Sequence, residues 1–255
     1  MELKSNDDVA VRYHKIFDYK LTKEEAVRWQ YKQNLSSAEG KNQKSERRLQ
    51  REKYSKKKLE IAKNASELIS KIPTVLFVGI TGSLAMMNAD KNSDIDLLLI
   101  TKKNMLWTTR VLVYFVLRTM HYVLRKPQDK NERDALCLNM WLDETSLIWD
   151  RKDRNIYTAH EIAQIVPLVN KNNTYERFLF LNKWILNYWP NAVEIKKSKT
   201  QIKRFKSEIN ILEKIAFKLQ YIYMKSKITT EIITPHTAIF HKNDWGKVVM
   251  KKLSY

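Results

Sequence analysis

Residues 77–101 read FVGITGSLAMMNADKNSDIDLLLIT, and the reading of this stretch decides the fold. Two apolar runs, TVLFVGI (74–80) and DIDLLLIT (94–101), are rich in Val, Ile, Leu and Phe and read as buried strands. Between them SLAMMNA begins a short helix, with Gly82-Ser83 at the strand-to-helix junction. Asp94 and Asp96 are one residue apart on a strand, so both side chains point to one face, while Ile95 and Leu97 point into the core on the other. Two carboxylates this close repel each other, which costs free energy unless a cation or donor compensates. A hard divalent cation with oxygen ligands, such as Mg²⁺, is the natural compensation. At the junction, free helix N–H groups favour an anion. Gly82 lets the backbone approach closely, and Ser83 supplies a hydroxyl. Loop and carboxylate pair together would hold a Mg²⁺–nucleoside triphosphate.

The ordered run VGITGSLAMMNADKNSDIDLLLI resembles the signature of the nucleotidyltransferase superfamily, the fold shared with DNA polymerase beta and aminoglycoside nucleotidyltransferases. Its pattern is an apolar strand, Gly-Ser, a spacer, then Asp-x-Asp opening a second apolar strand. The segments FDYKLT and FLFLNKWILNYW resemble uncharacterised bacterial and archaeal members. The resemblance implies two Mg²⁺ ions held by Asp94, Asp96 and a third carboxylate, with Gly82 and Ser83 on the β- or γ-phosphate. It implies transfer of a nucleoside monophosphate from an NTP to an acceptor hydroxyl, with release of pyrophosphate. The acceptor is a small molecule, a protein side chain or an RNA end. The third carboxylate belongs on the strand RDALCLNMWLD (133–143), where the chain departs from the pattern. Asp134 stands at its start, Asp143 at its end, and Asn139, a poorer metal ligand, in the middle. Asp134 is the candidate. If neither acid reaches the metals, the alternative is a catalytically degenerate nucleotide- or nucleic-acid-binding protein of the same fold. A third reading is a structural partner whose helical C-terminal half supplies the interface, with an exposed apolar patch on 175–190.

Around the motif, the order strand, helix, strand, helix (104–125), strand (134–142) predicts an α/β (α+β) fold, a mixed sheet flanked by helices. Residues 8–35 read helical, with Thr22 and Glu25 at capping-box spacing. Residues 36–58 begin as a linker and merge into a helix that ends at Pro73. TSLIWD, HEIAQIVPLV, YERFLFLNKWILNYW and LEKIAFKLQYIYM carry helical apolar spacing. Phe178, Phe180, Trp184 and Trp189 are expected in the core, and the polar tail 241–255 closes the structure. The expected organisation is a helical N-terminal segment and basic linker (1–58), the nucleotidyltransferase core (59–150) and a helical C-terminal region (151–255).

The 255 residues suffice for a real core. With 47 Lys+Arg against 28 Asp+Glu, the net charge of +19 favours polyanionic partners, nucleic acid among them. From Lys41 to Lys58 there are nine basic residues and two acidic ones, which read as a solvated face or a phosphate-backbone contact. Lys91 reads as a solvated loop lysine within reach of a phosphate. The single cysteine, Cys137, cannot form an internal disulfide, which predicts an intracellular, cytoplasmic protein, and it reads as a small packed hydrophobe. The N-terminus lacks a signal-peptide core. Arg110 and Arg118 interrupt the most apolar stretch, 105–124, so no membrane is expected as a partner. His14, His121, His160, His236 and His241 show no metal spacing, and no G-x-S-x-G is present.

Overall fold

The protein's structure, a computed structural model, describes residues 9–32, 44–126, 132–196, 209–226, 228–240 and 244–254. Residues 36–43 of the expected 36–58 segment, and His241, lie outside these residues.

The sheet grows from the apolar runs. Strand β1 (Val75–Ile80) is buried throughout, and β2 (Ile95–Thr101) is buried except at Asp96. They pair antiparallel, and β3 (Leu136–Asp143) joins β2 in parallel through helix α5 (Leu106–Thr119). Three short strands complete a six-stranded mixed sheet: β4 (Val166–Asn170) beside β1, then β6 (Thr237–Ile239) and β5 (Ile232–Ile233) beyond β3, in the order β4-β1-β2-β3-β6-β5. The expected α+β class, a mixed sheet flanked by helices, is observed.

Strand alternation feeds two cores. Ile95, Leu97 and Leu99 join Leu136, Leu138 and Trp141 under α5 and the long helix α3 (Glu46–Ser70). Leu98, Ile100, Met140 and Leu142 face the other side. There α1 (Val9–Ile16), α2 (Lys23–Arg28), α6 (Ile156–Ala163), α7 (Thr174–Leu181) and α9 (Trp245–Leu253) bring Tyr13, Trp29, Phe178 and Trp189 to the sheet. Helix α8 (Ile211–Lys225) packs on α5. Among the described residues no helix is long and apolar enough to cross a membrane.

Several expectations need correction. The described part of 8–35, residues 9–32, holds two helices, broken where Asp18 takes φ 53°; the Thr22–Glu25 capping box is present. TSLIWD forms no helix. HEIAQIVPLV is helical only to Ala163; its second half is β4, because the Val166–Asn170 backbone finds partners on the free edge of β1 and Pro167 is tolerated on an edge strand. The C-terminal region is thus helical but also contributes three strands. Phe180 is only partly buried, unlike Phe178, Trp184 and Trp189. Large exposed apolar side chains gather on α5 (Val111, Leu112, Phe115) and α8 (Leu212, Leu219, Tyr223), rather than on 175–190.

Candidate functional site

The site forms where β1 ends and β2 begins. Thr81 N–H donates to the Asp96 carbonyl at 3.0 Å, so the β1 exit lies against Asp96. Gly82 follows with φ 61°, a left-handed conformation that suits glycine. It opens α4 (Gly82–Ala85), a single turn whose N-cap Thr81 makes no side-chain cap, and Ser83 is exposed. Gly82 therefore lies against Asp96, and Ser83 follows it in the chain.

The 88–93 loop that delivers Asp94 is held by α3. Arg51 donates to Asn88 Oδ1 (2.9 Å), and Ser55 Oγ accepts from Ala89 N–H (3.1 Å). Lys58 Nζ, in a side chain only 1% exposed, reaches the Ser93 carbonyl (2.7 Å) and Asp134 Oδ1 (2.6 Å). The basic run is therefore only partly a solvated face. Arg48 and Lys58 are buried, and Arg48 pairs with Glu25 and Tyr19, whereas Lys53, Lys56 and Lys57 are exposed. Lys91 is exposed as expected, and its carbonyl faces Lys58.

Asp94, Asp96 and Cys137 each offer a ligand atom, and the three atoms lie within 4.8 Å of one another. Strand register places the third, and a bulge follows it. Asp96 is opposite Cys137 and Leu98 is opposite Met140, so β3 spends three residues where β2 spends two. Leu136 and Leu138 face the α3–α5 core before the bulge, and Met140 faces the opposite core after it. Cys137 and Asn139 therefore share the Asp96 face, and the bulge lies beside the site, where bulges are common. Asn139 Nδ2 donates to Asp96 Oδ1 at 2.6 Å, while its own Oδ1 is buried with no hydrogen-bond partner. Arg125 Nη1 lies 2.7 Å from Asp94 Oδ2, an ion pair without hydrogen-bond alignment, since that oxygen has no hydrogen-bond partner. The same Nη1 is 3.5 Å from Cys137 Sγ.

Burial and like charge dominate the electrostatics of this pocket. Burial and the Asp94 charge push Asp96 up to about 7, and burial raises Asp94 despite Arg125. Burial and both aspartates push the Cys137 thiol well up. A further carboxyl, Glu161 on α6, is pushed up to about 8 by burial and then by Asp96; it accepts from Gln164 Nε2 at 2.6 Å.

The candidate third carboxylates are engaged elsewhere. Asp134, at φ 59°, turns to Lys58. Asp143 is fully buried at the far end of β3, where it accepts from Asn104 N–H, Thr145 and His236. His14 and His160 contact each other among the aromatic side chains Tyr13, Trp29 and Trp189. Sequence reading missed Arg125, which sat in an expected helix, and Glu161. It also missed that Cys137 faces the carboxylates. A period-2 count from Leu136 and Leu138 would have put Cys137 and Asn139 on the other face.

The donor set suits one divalent cation. Asp94 and Asp96 supply carboxylate oxygens, and the buried Asn139 Oδ1 without a partner is a third oxygen at the same place. A second ion would need a further carboxylate; among the described residues Glu132, paired with Arg125, and Glu161 are the two that interact electrostatically with Asp96 from outside the pair. No protein-family model and no curated protein matches the chain.

Proposed function

We propose that the protein is a metal-dependent nucleotidyltransferase, moving an NMP from an NTP to an acceptor hydroxyl with release of pyrophosphate. The observation that carries the reading is the approach of Gly82 to Asp96: a Cβ at Gly82 would stand 2.5 Å from Asp96 Oδ2, so the junction and the carboxylate pair form one cradle. A divalent cation, Mg²⁺ on the resemblance, supplies charge neutralisation at the phosphates when bound and makes the acceptor hydroxyl easier to ionise.

The chain's own groups do the rest. Asp94 and Asp96 gather the cation with its triphosphate. Gly82 keeps the space beside Asp96 clear of side-chain atoms, and Ser83 offers a hydroxyl to a phosphate oxygen. Glu161 holds its proton up to about pH 8. Burial and the Asp96 charge favour its neutral form. In the transfer, the acceptor oxygen bonds to the α-phosphorus, the α–β bridging bond breaks, pyrophosphate leaves, and the hydroxyl proton passes to solvent. Exposed Lys53, Lys56, Lys57 and Lys91 line α3 and the adjoining loop, which supports a polyanionic acceptor such as an RNA end.

The second reading is a nucleotide-binding protein without turnover. The engagement of Asp134 with Lys58 and of Asp143 with His236 favours it, because both leave the pair without the third acid expected from the strand Leu136–Asp143 and its approach. Pyrophosphate release decides between the two. The protein is incubated with each of the four NTPs and Mg²⁺ or Mn²⁺, with and without cellular RNA and lysate, beside Asp94→Asn/Asp96→Asn. Acceptor-dependent release that vanishes in the variant is the expected result. NTP binding with no release from any mixture would replace the enzyme with the binding protein.

A further inference from the structure

Cys137 occupies the β3 position that is in register with Asp96, the place from which a strand neighbour can add a ligand to the pair. Its Sγ lies within 4.8 Å of a carboxylate oxygen of each aspartate. Sulfur changes the chemistry of the site. Mg²⁺ is hard, prefers oxygen and gains little from a thiolate, whereas Zn²⁺ and Co²⁺ bind thiolates well. Two further observations point to a cation at this spot. Asn139 is 9% exposed, its amide touches Asp96, and its Oδ1 has no partner. In addition, the Arg125 guanidinium sits 2.7 Å from Asp94 Oδ2 and 3.5 Å from Cys137 Sγ, so positive charge already collects between carboxylate and sulfur. The Arg125 side chain is 34% exposed, with room to swing toward solvent and yield the place to an ion.

We propose that Asp94, Asp96 and Cys137, with Asn139 Oδ1 as an additional oxygen, form a mixed oxygen–sulfur site that takes a thiophilic divalent cation of the Zn²⁺ or Co²⁺ kind in preference to Mg²⁺. The catalytic meaning of this site rests on the transferase reading, but its test needs no nucleotide, so either can fail alone. Binding exchanges the thiol proton for the metal: the S–H proton leaves to solvent and the sulfur lone pair forms the metal–sulfur bond, with no change of oxidation state.

Cobalt supplies the readout, because a cobalt–thiolate bond gives a near-ultraviolet charge-transfer band. Cys137 is the chain's one cysteine, so such a band has one possible source. The full chain, reduced and metal-free, is titrated with Co²⁺ in the presence of excess Mg²⁺, beside Cys137→Ser, Cys137→Ala and Asp94→Asn/Asp96→Asn. The expected result is a one-to-one band that excess Mg²⁺ leaves in place. Both cysteine variants lose the band and bind Co²⁺ about tenfold or more weakly. The aspartate variant loses it while keeping its cysteine. Circular dichroism checks that each variant is folded; serine and alanine are small enough to keep the packing. Co²⁺ binding without the band, equal affinity in the cysteine variants, displacement by Mg²⁺, or no binding by the wild type would each overturn the proposal.

Discussion

Gly82 and Asp96 are in such close approach that a Cβ built on the glycine would stand 2.5 Å from the carboxylate oxygen Oδ2, and the glycine's φ of 61° already lies where L side chains are strained. Gly82→Ala therefore meets two obstacles. The backbone term costs about 1–2 kcal/mol. The contact falls on the end of a short side chain, which rotates away and loses its aim. A modest drop in stability with a much larger loss of pyrophosphate release is expected, read from urea melts and turnover on the same preparation. Turnover that falls only in proportion to the folded fraction would remove Gly82 from the site.

Asn139 donates its amide to Asp96 at 2.6 Å and leaves Oδ1 unpaired. Asn139→Asp deletes that donor and sets a third carboxylate beside two others. The apo protein should lose about 2–3 kcal/mol, from an orphaned acceptor and like-charge repulsion. A divalent cation should recover more stability in the variant than in the wild type, and Mg²⁺ should gain most, since the added ligand is a hard oxygen. Thermal melts with and without Mg²⁺ and Zn²⁺ measure this. Equal cation-induced shifts in both proteins would place the ion away from Asn139.

The central strands were legible because burial on both faces writes near-continuous apolar runs, as in LFVGI and DLLLIT. The edges were not. VPLVN is a largely exposed edge strand whose partner, β1, lies about ninety residues earlier, and nothing local distinguishes it from the helix before it. Strands of two and three residues, Ile232–Ile233 and Thr237–Ile239, exist only through their pairing. In the site, Asp94, Asp96 and Gly82 were legible because the chain places them together. Glu161 was not, since it arrives from a helix after β3, and the bulge that turns Met140 to the opposite core from Leu136 and Leu138 leaves no mark in LCLNMWL.

Lys58 and Asp134 are 76 residues apart and 2.6 Å from each other, and Lys58 also holds the Ser93 carbonyl. Lys58→Met removes a buried cation and leaves the 91–94 backbone without its anchor. Asp134 is 26% exposed and rehydrates in part, so the loss should fall at about 2–3 kcal/mol, below that of a fully buried pair. Asp134→Asn should cost less, because a neutral acceptor for Lys58 remains. Metal affinity should fall in the methionine variant more than in the asparagine one. Titration calorimetry beside denaturation tests the order, and its reversal would make Asp134 the functional member of the pair.

The final prediction concerns acid. His14 Nδ1 donates to the Ala10 carbonyl at 2.8 Å, so its Nε2 accepts from His160 Nε2 at 3.0 Å, both rings neutral among Tyr13, Trp29 and Trp189. Burial lowers His14 from 6.5 to about 4 and lowers His160 as well. In the window between these values the unfolded chain binds the proton that the folded chain refuses. The contribution is therefore fully present above pH 6.5 and lost as the pH falls toward 4, on the order of 3 kcal/mol for His14. Asp96 and Glu161 act in the opposite direction, since their raised values favour the folded state at lower pH and lose that advantage toward pH 7 and 8. Glu25, lowered to about 2, loses its contribution from 4.5 downward, which overlaps the histidine window only at its acid end. The double variant His14→Phe/His160→Phe removes both partners at once, which keeps any orphaned group out of the core. From pH 7 to 4 the urea midpoint of the wild type should fall relative to that of the variant, because the Asp96 and Glu161 contributions are common to both. Parallel curves would show that the histidine pair does not set the acid limit of the fold.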